Sequence, residues 1–291
     1  MKPANHQPTD RPGDSRYWPV DLHAHTSASD GTLRPHELVA LAAERGIQVL
    51  AVTDHDTVDG LAAARGAAAD LGVVLVPAVE LSTTERGVEL HVLGYGVDPD
   101  DPSLLGELRE LARSRVGRIT AMIARLHAAG FAVDRDSILA QSEEGSIGRP
   151  HLARALIEIG AATSVDDAFQ RFLKPGRPGW VPRDPFTPEQ AVALLVDHNA
   201  LPVLAHPWST GDIPAILRRL IPLGLRGMEV FYGEYDAGRR SALRDIADHH
   251  ALIATGGSDY HGPHFREGRE LGAAPVPIDV FDELVAAGVR A

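Results

Sequence analysis

Residues 20–25 read Val20-Asp-Leu-His-Ala-His25, a short apolar run that leads directly into two histidines. The same arrangement returns at Val49-Leu-Ala-Val-Thr-Asp-His-Asp56, where an apolar run leads into acidic and imidazole side chains. Short apolar runs that alternate with helical patterns are typical of a parallel β/α architecture. In a barrel of this kind the carboxyl ends of the strands face one mouth, where active sites are built. These stretches therefore predict an α/β protein with its chemistry at the strand ends.

The apolar runs predict about seven strands, near the eight of a complete barrel. The predicted strands are Val20–Leu22, Gln48–Thr53, Val73–Val79, Glu89–Tyr95, Leu201–Ala205, Gly227–Phe231 and Leu252–Thr255. Two helices are predicted between the first three strands, at Arg34–Arg45 and Thr57–Leu71. Each is followed by a glycine, the residue that most often ends a helix.

The strand-helix alternation stops after Gly96 and returns at Leu201. A long helical pattern runs from Leu104 to Leu126. Arg113, Arg115, Arg118 and Arg125 scatter around this helix, so a solvated face is expected rather than a path for nucleic acid. Shorter helices are predicted at Arg135–Gln141, Pro150–Ile159 and Ser164–Phe172, with a proline-rich loop at Lys174–Pro185. We expect a barrel of residues 18–97 and 187–291, a helical insertion domain at 98–186 and a disordered tail at 1–17.

Composition limits the function. The formal net charge of −12 argues against a protein that coats duplex DNA through a basic face. The chain has no cysteine, so a metal must be bound by imidazole and carboxylate, which suits Mn²⁺, Fe²⁺, Zn²⁺ or Mg²⁺. Residues 1–18 lack the apolar segment of a signal peptide, and no run approaches membrane-spanning length. We expect a soluble, cytoplasmic protein that has no membrane partner; its oligomeric state stays open.

Histidine, aspartate and glutamate concentrate at the predicted strand ends. A lone histidine at a strand end more often caps or packs than binds a metal. The pair His23 and His25 is different, because residues i and i+2 of an extended segment point to the same side and can chelate one ion. Carboxylates crowded into the same mouth would repel each other unless cations lay between them. The candidates at the strand ends are His23, His25, Asp54, His55, Glu80, His91, His206, Asp259 and His261, and Asp54 is more simply a carboxylate that supports a neighbouring ligand.

The same motifs, in the same order, resemble the PHP (polymerase and histidinol phosphatase) superfamily of metal-dependent phosphoesterases. They are His23-Ala-His25, Thr53-Asp-His-Asp56, Glu80, His91, Ala205-His-Pro207 and Gly257-Ser-Asp-Tyr-His261. The resemblance implies a distorted (β/α)7 barrel with two to three divalent ions, Mn²⁺ being the expected one. It places the first ion on His23, His25, Glu80 and Asp259, and the second on Glu80, His91 and His206. A third ion falls to Asp30, His55 and His261, although many members have histidine where Asp30 stands.

Within the superfamily, the chain is similar to the branch of nucleoside 3′,5′-bisphosphate phosphatases and 5′→3′ exoribonucleases. Gly148-Arg-Pro-His151 in the insertion matches that branch, which uses the arginine on its substrate. The resemblance implies substrate contacts from Arg149, and His151 either contacts phosphate or packs behind it. Lys174 and Arg177 are further expected phosphate contacts, and the alternative is a solvated basic loop. Trp180 offers a base-stacking surface or packs against the barrel, and packing is the expected role.

The hypothesis for the chemistry is in-line attack on phosphorus by a hydroxide that bridges two metals beside Glu80. His206 and His261 are the other expected catalytic residues, with His206 or a metal-bound water as the leaving-group acid. The expected partner is a small phosphorylated molecule, namely a nucleoside bisphosphate or short 5′-phosphorylated RNA. A small-metabolite phosphatase, for example one acting on histidinol phosphate, and a non-catalytic metal-binding module are the alternatives.

Overall fold

The computed structural model describes residues 17–85, 88–263 and 265–291, and its seven strands form one curved sheet in the order in which they occur in the chain. The prediction of a disordered tail at residues 1–17 lies outside the described residues except for Tyr17. The strands are β1 (Val20–Asp21), β2 (Val49–Val52), β3 (Val74–Glu85), β4 (Val88–Tyr95), β5 (Leu201–Leu204), β6 (Gly227–Tyr232) and β7 (Ile253–Gly257). All seven predicted strands are confirmed, and β3 continues past its predicted end at Val79.

The sheet curls until its first and last strands meet. Ala24 forms a parallel bridge with Tyr260, and the Asp259 amide donates to the His23 carbonyl at 2.8 Å. The α/β class and the distorted, nearly closed seven-stranded barrel are confirmed.

The expectation that all strands run parallel is wrong for β4, which is antiparallel to both β3 and β5. Parallel neighbours require a crossover of a dozen or more residues, whereas β3 and β4 form a hairpin in which Glu85 pairs with Val88. Residues 80–88, which separate the two predicted strands, are too few for a crossover. The other neighbouring pairs in the order β1-β2-β3 and β5-β6-β7 are parallel.

Helices cover the outside of the barrel. They are α1 (Pro35–Glu44), α2 (Leu61–Leu71), α7 (Pro188–Asp197), α8 (Ile213–Leu220), α9 (Ala237–His249) and α10 (Asp279–Ala286). Gly72 ends α2 with φ of +70°, which a residue with a side chain adopts only at a cost. Among the described residues, no helix combines the length and apolar character needed to cross a bilayer.

The insertion between β4 and β5 has its own small core. It contains α3 (Pro102–Ala128), α4 (Arg135–Glu144), α5 (Arg149–Glu158), α6 (Val165–Ala168) and a π-helical turn at Phe169–Leu173. Its apolar core includes Ile119, Met122 and Leu152, and it is separate from the cluster that fills the barrel. The domain boundaries at residues 98 and 186 stay predictions.

Candidate metal centre

The nine ligands that the resemblance implies, Asp30 included, come together at one mouth of the barrel. Seven of them are buried, and His91 and His206 are half-buried. Although β4 runs in the opposite direction, His91 still reaches this mouth, because it pairs with Ser82 on the part of β3 that extends beyond Glu80. Two of the residues, His206 and Asp259, have positive φ angles of +28° and +53°. Strained backbone of this kind persists where the surrounding structure fixes it, as at functional sites.

The first group consists of His23, His25, Glu80 and Asp259. The Nε2 atoms of both histidines lie 3.2 Å from Oε2 of Glu80. Oδ1 of Asp259 is 3.5 Å from Nε2 of His23 and 3.2 Å from Nε2 of His25. Four donor atoms from three regions of the chain therefore surround one point, as a metal site requires.

Glu80 connects this group to a second one through its other oxygen. Oε1 of Glu80 lies 2.8 Å from Nδ1 of His91 and 3.1 Å from Nε2 of His206. His55 also approaches, with its Nδ1 3.2 Å from Oε2 of Glu80. One carboxylate thus faces two sets of imidazoles, which is the arrangement of a bridging ligand.

A third group forms around Asp30. Oδ1 of Asp30 lies 3.2 Å from Nε2 of His261, and Oδ2 lies 3.6 Å from Nε2 of His55. His25 joins this group through its second nitrogen, since Nδ1 is 3.8 Å from Asp30. Aspartate at position 30 therefore reaches the same imidazoles that a third ion would use. The assignment of these residues as ligands stays a prediction.

The pKa values of the buried side chains in the cluster indicate that these groups suit a bound cation. Burial by itself would raise the pKa of Glu80, but the neighbouring His55, His23 and His91 hold that pKa well below its usual range. Burial would likewise lower the pKa of His25, yet its hydrogen bonds to Asp259 and Glu80 raise it to about 10. The buried carboxylates thus require positive charge beside them, and a divalent ion supplies it while leaving the imidazoles neutral. Six imidazoles and three carboxylates are a donor set that fits Mn²⁺, Fe²⁺, Zn²⁺ or Mg²⁺.

Sequence reasoning missed the residues that orient these ligands. Glu229 on β6 is fully buried, and its Oε1 lies 3.0 Å from Nδ1 of His23. Its Oε2 accepts a 2.7 Å hydrogen bond from the backbone amide of His206. Tyr232 and Arg269 both contact Oδ2 of Asp259 at 2.7 Å. The available signal was an acidic residue inside the apolar run Gly227–Phe231, because a buried charge needs a partner.

The solvated face expected on α3 holds for Arg113 and Arg125, which are exposed, but it is wrong for Arg115 and Arg118. Arg115 and Arg118 are only 5% and 8% exposed. Both can be buried because each is paired with a carboxylate of the barrel. Arg115 pairs with Asp56 at 2.6 Å, and Arg118 pairs with Glu89 at 3.0 Å. Buried arginines in ion pairs are held in fixed positions, so they form part of the wall of the mouth.

Arg149 also lies on this wall and pairs with Glu89. It lines a cavity of about 410 Å³ together with all the candidate ligands except His23 and His25. Arg183 completes the set, and burial and the nearby Arg115 lower its pKa to about 10. The Nε atom of Arg183 is buried and has no hydrogen-bond partner in the described structure. We call these four residues, Arg115, Arg118, Arg149 and Arg183, the arginine wall.

The other predicted substrate contacts lie elsewhere. His151 is 5% exposed, and its Nδ1 accepts a 3.1 Å hydrogen bond from the Gly148 amide, so it caps the start of α5 behind the wall. Lys174 and Trp180 line a neighbouring cavity of about 750 Å³. Three members of the arginine wall line both this cavity and the first one. Arg177 is exposed and lines neither cavity.

Comparison with known proteins agrees with this geometry. A family profile described as PHP domain matches residues 21–147. The chain is 36% identical over 280 residues to a 3′,5′-nucleoside bisphosphate phosphatase of Chromobacterium violaceum, covering 93% of this chain and 98% of the relative. It is 34% identical over 249 residues to the 5′-3′ exoribonuclease Rnm of Escherichia coli, covering 84% and 85%.

A solved structure from Bifidobacterium adolescentis, assigned as a metal-dependent phosphoesterase, superimposes with a TM-score of 0.85. Its sequence is 30% identical, and the match covers 93% of this chain and 96% of that one. The similarity therefore spans the barrel and the insertion alike.

Proposed function

Since this chain belongs to the PHP domain family and is a hydrolase of phosphate esters, we propose that its substrates are nucleotides, namely 3′,5′-nucleoside bisphosphates and short 5′-phosphorylated RNA. One observation supports this most strongly: seven of the nine candidate metal ligands and the whole arginine wall line the same cavity. Arginine is suited to binding phosphate through paired hydrogen bonds. Two phosphate-binding surfaces in one cavity fit a substrate that carries more than one phosphate, whereas a monophosphate would leave the wall unused.

Each group of side chains has a role in the proposed reaction. Divalent ions bound at these ligands would supply a nucleophilic water at neutral pH and would stabilise charge on the phosphoryl oxygens. Glu80 orients both halves of the site, because each of its oxygens faces a different set of imidazoles. His261 and Asp30 belong to the third group of candidate ligands, which would lie beside a non-bridging or leaving oxygen of the substrate. His206 serves as a ligand next to Glu80 or as the acid that protonates the leaving oxygen.

The arginine wall positions the second phosphate. Arg149 and Arg118 both pair with Glu89, and the side chain of Arg149 is the more accessible of the two, at 20% exposed against 7%. It is therefore the proposed first contact, with Arg183 behind it. His151 supports the wall by fixing the start of α5 rather than by touching the substrate.

The neighbouring cavity favours short RNA as a second substrate class. It continues from the first cavity at Arg118, Arg149 and Arg183, and Lys174 adds a positive charge to its lining. An oligonucleotide whose 5′ end lies at the metal ligands could place following phosphates along this basic path. Arg177 lies outside both cavities and is the weakest member of this set.

A substrate screen tests the proposal. The purified protein is analysed for bound metals and then assayed with Mn²⁺ on adenosine 3′,5′-bisphosphate, 5′-phosphorylated oligoribonucleotides and histidinol phosphate. We expect turnover of the first two to exceed that of histidinol phosphate. A preference for histidinol phosphate would replace the proposal with a small-metabolite phosphatase, and absence of turnover on every phosphoester would favour a binding module.

Variants of the ligands test the site itself. Glu80→Ala and Asp259→Ala should each abolish turnover while the circular dichroism spectrum stays that of the folded protein. Near-normal turnover in either variant contradicts this metal centre. Asp98→Ala, in an exposed turn, is the matched control and should leave turnover unchanged.

A further inference from the structure

We propose that Trp208 is the surface on which the nucleobase of the substrate stacks, an inference that rests on the proposed function. Trp208 lines the same cavity as the candidate metal ligands, yet 44% of it is exposed. An indole is costly to leave in water, and an exposed large aromatic inside a polar cavity indicates a ligand with an apolar face. A nucleobase has such a face, and its stacking on aromatic side chains does not depend on which base it is.

The backbone that carries the indole is held by Tyr235, whose ring centroid also lies 6.4 Å from that of the indole. The backbone amide of Trp208 donates a 3.0 Å hydrogen bond to the hydroxyl of Tyr235, which is only 7% exposed. Tyr235 in turn packs on Tyr232, with ring centroids 4.9 Å apart. The segment that carries Trp208 is therefore anchored on buried aromatic side chains. A pre-organised surface of this kind loses little conformational entropy when a ligand binds.

The position of Trp208 matches the shape of a nucleotide. Only Pro207 separates it from His206, whose Nε2 faces Glu80 at 3.1 Å. In a nucleotide one ribose separates the base from its phosphates, so a phosphate at the metal ligands leaves the base next to this segment. The guanidinium of Arg239 lies 5.7 Å from the centre of the Trp208 ring and is close to only one carboxylate in the described structure, Asp236 at 3.7 Å. Arg239 can therefore donate hydrogen bonds to the edge of a stacked base or to its ribose.

The other aromatic side chains of the cavity are less suited to this role. Tyr232 and Tyr235 are buried. Phe169 is half-buried and lies beneath the guanidinium of Arg149, which is 5.0 Å from its ring centre and so nearer than Arg239 is to the ring of Trp208. Phe265 is stacked on His261, with ring centroids 4.6 Å apart and an interplanar angle of 12°. Among the aromatic residues described in this cavity, Trp208 has the most accessible ring.

Tryptophan fluorescence measures this directly, because a base that stacks on an indole quenches its emission. The Mn²⁺-loaded protein is titrated with adenosine 5′-monophosphate, which has a base, and with ribose 5-phosphate, which has none. We expect the adenine nucleotide to quench emission of the wild-type protein and of Trp180→Phe, but not of Trp208→Phe. In Trp208→Ala the Kd for the nucleotide should rise by about 5- to 150-fold, while the Kd for ribose 5-phosphate should stay the same.

Three results would overturn the inference: quenching that persists in Trp208→Phe, quenching lost only in Trp180→Phe, or equal weakening of both ligands in Trp208→Ala. The second result would place the base in the neighbouring cavity. Because binding is measured apart from turnover, the two proposals can fail separately. Quenching at Trp208 without hydrolysis of any nucleotide refutes the proposed function alone. Nucleotide hydrolysis with an unchanged KM in Trp208→Ala refutes the stacking surface alone.

Discussion

The hydroxyl of Tyr232 donates a 2.7 Å hydrogen bond to Oδ2 of Asp259, the oxygen that points away from His23 and His25. Arg269 holds the same oxygen at 2.7 Å. The two oxygens of Asp259 thus have separate partners, since Oδ1 faces the imidazoles and Oδ2 is fixed by the barrel. Groups that orient a ligand in this way set metal affinity almost as strongly as the ligand does.

Replacing Tyr232 with phenylalanine tests that relationship. We expect Tyr232→Phe to weaken Mn²⁺ binding by roughly 10- to 100-fold and to lower the free energy of unfolding by about 1 kcal/mol. Calorimetric titration of the metal-free protein measures the affinity. Tyr95→Phe is the control, because its buried hydroxyl donates to the Leu22 carbonyl at 2.9 Å and touches no ligand carboxylate. Equal Mn²⁺ affinity in Tyr232→Phe and the wild type would contradict this role.

Two arginines on α3 differ sharply in their surroundings. Arg115 is buried, pairs with Asp56 at 2.6 Å and donates to the Ile147 carbonyl at 2.8 Å. Arg113 is exposed and pairs only with Glu110 among the described residues. Arg115→Met should lower the free energy of unfolding by about 3–5 kcal/mol, because it leaves the buried Asp56 without its closest counter-charge. Arg113→Met should change it by about 0.5 kcal/mol or less. Urea denaturation measures both, and similar small effects would disprove the structural role of Arg115.

Much of the fold could be predicted because the sequence encodes it locally. The apolar runs predicted all seven strands. The glycines that follow the helices predicted closely where α1 and α2 terminate. The candidate ligands other than Asp30 could be found for the same reason, since each follows, ends or lies within an apolar run, whereas Asp30 was expected only from the family resemblance. The direction of β4 was missed because polarity along a strand does not depend on its direction, and only the short connection to β3 determined it.

Tertiary partners account for the other misses. The apolar spacing of α3 showed which face packs on the insertion core. It could not show that Arg115 and Arg118 form ion pairs with carboxylates of the barrel. Asp56 and Glu89 lie far from them in sequence, so the ion pairs exist only in the folded chain. Glu229 was overlooked for the same reason, because a strand with one acidic residue reads as half-exposed until its partner His23 is known.

A glycine holds the insertion against the barrel. A Cβ atom on Gly145 would lie 2.0 Å from the carbonyl oxygen of Ala28, in the segment that carries Asp30. The next residue, Ser146, donates its amide to that same oxygen at 2.7 Å. Gly145→Ala must therefore separate the two segments, and we expect a loss of about 1–3 kcal/mol.

The matched control is Gly117→Ala on α3, where a Cβ atom would meet nothing within 4 Å. Alanine is the better helix former, so this variant should gain about 0.5–1 kcal/mol. Thermal unfolding of both variants measures the difference. A neutral or stabilising Gly145→Ala would show that the segments are not in tight contact.

His151 gives a pH dependence with a definite sign. Burial and the neighbouring Arg154 lower the pKa of His151 to about 4, below the value of about 6.5 in an unfolded chain. Between these values the unfolded state binds the proton and the folded state does not. The free energy of unfolding should therefore fall as pH decreases from about 6.5 to about 4, by up to about 1.4 kcal/mol per pH unit from this residue.

His151→Asn keeps an acceptor for the Gly148 amide and removes the titration. Urea denaturation at several pH values, with a chelator present, should show a shallower decline in this variant than in the wild type. His36→Asn, on the exposed side of α1, is the control and should follow the wild-type profile. Parallel profiles for His151→Asn and the wild type would contradict a neutral, buried His151.

The reversed direction of β4 has a consequence for how such enzymes diversify. Because β4 runs away from the mouth, the insertion begins and ends at the far side of the barrel, where Asp101 and His198 pair at 2.6 Å. From there α3 climbs about 20 Å between Pro102 and Arg115 before it delivers its arginines to the cavity. The length of α3 sets the position of these arginines, because one added or deleted turn would move Arg115 and Arg118 by about 5.4 Å relative to the candidate metal ligands. A change in the length of α3 could in this way alter the distance between the arginine wall and the candidate ligands without altering any strand that carries one of them.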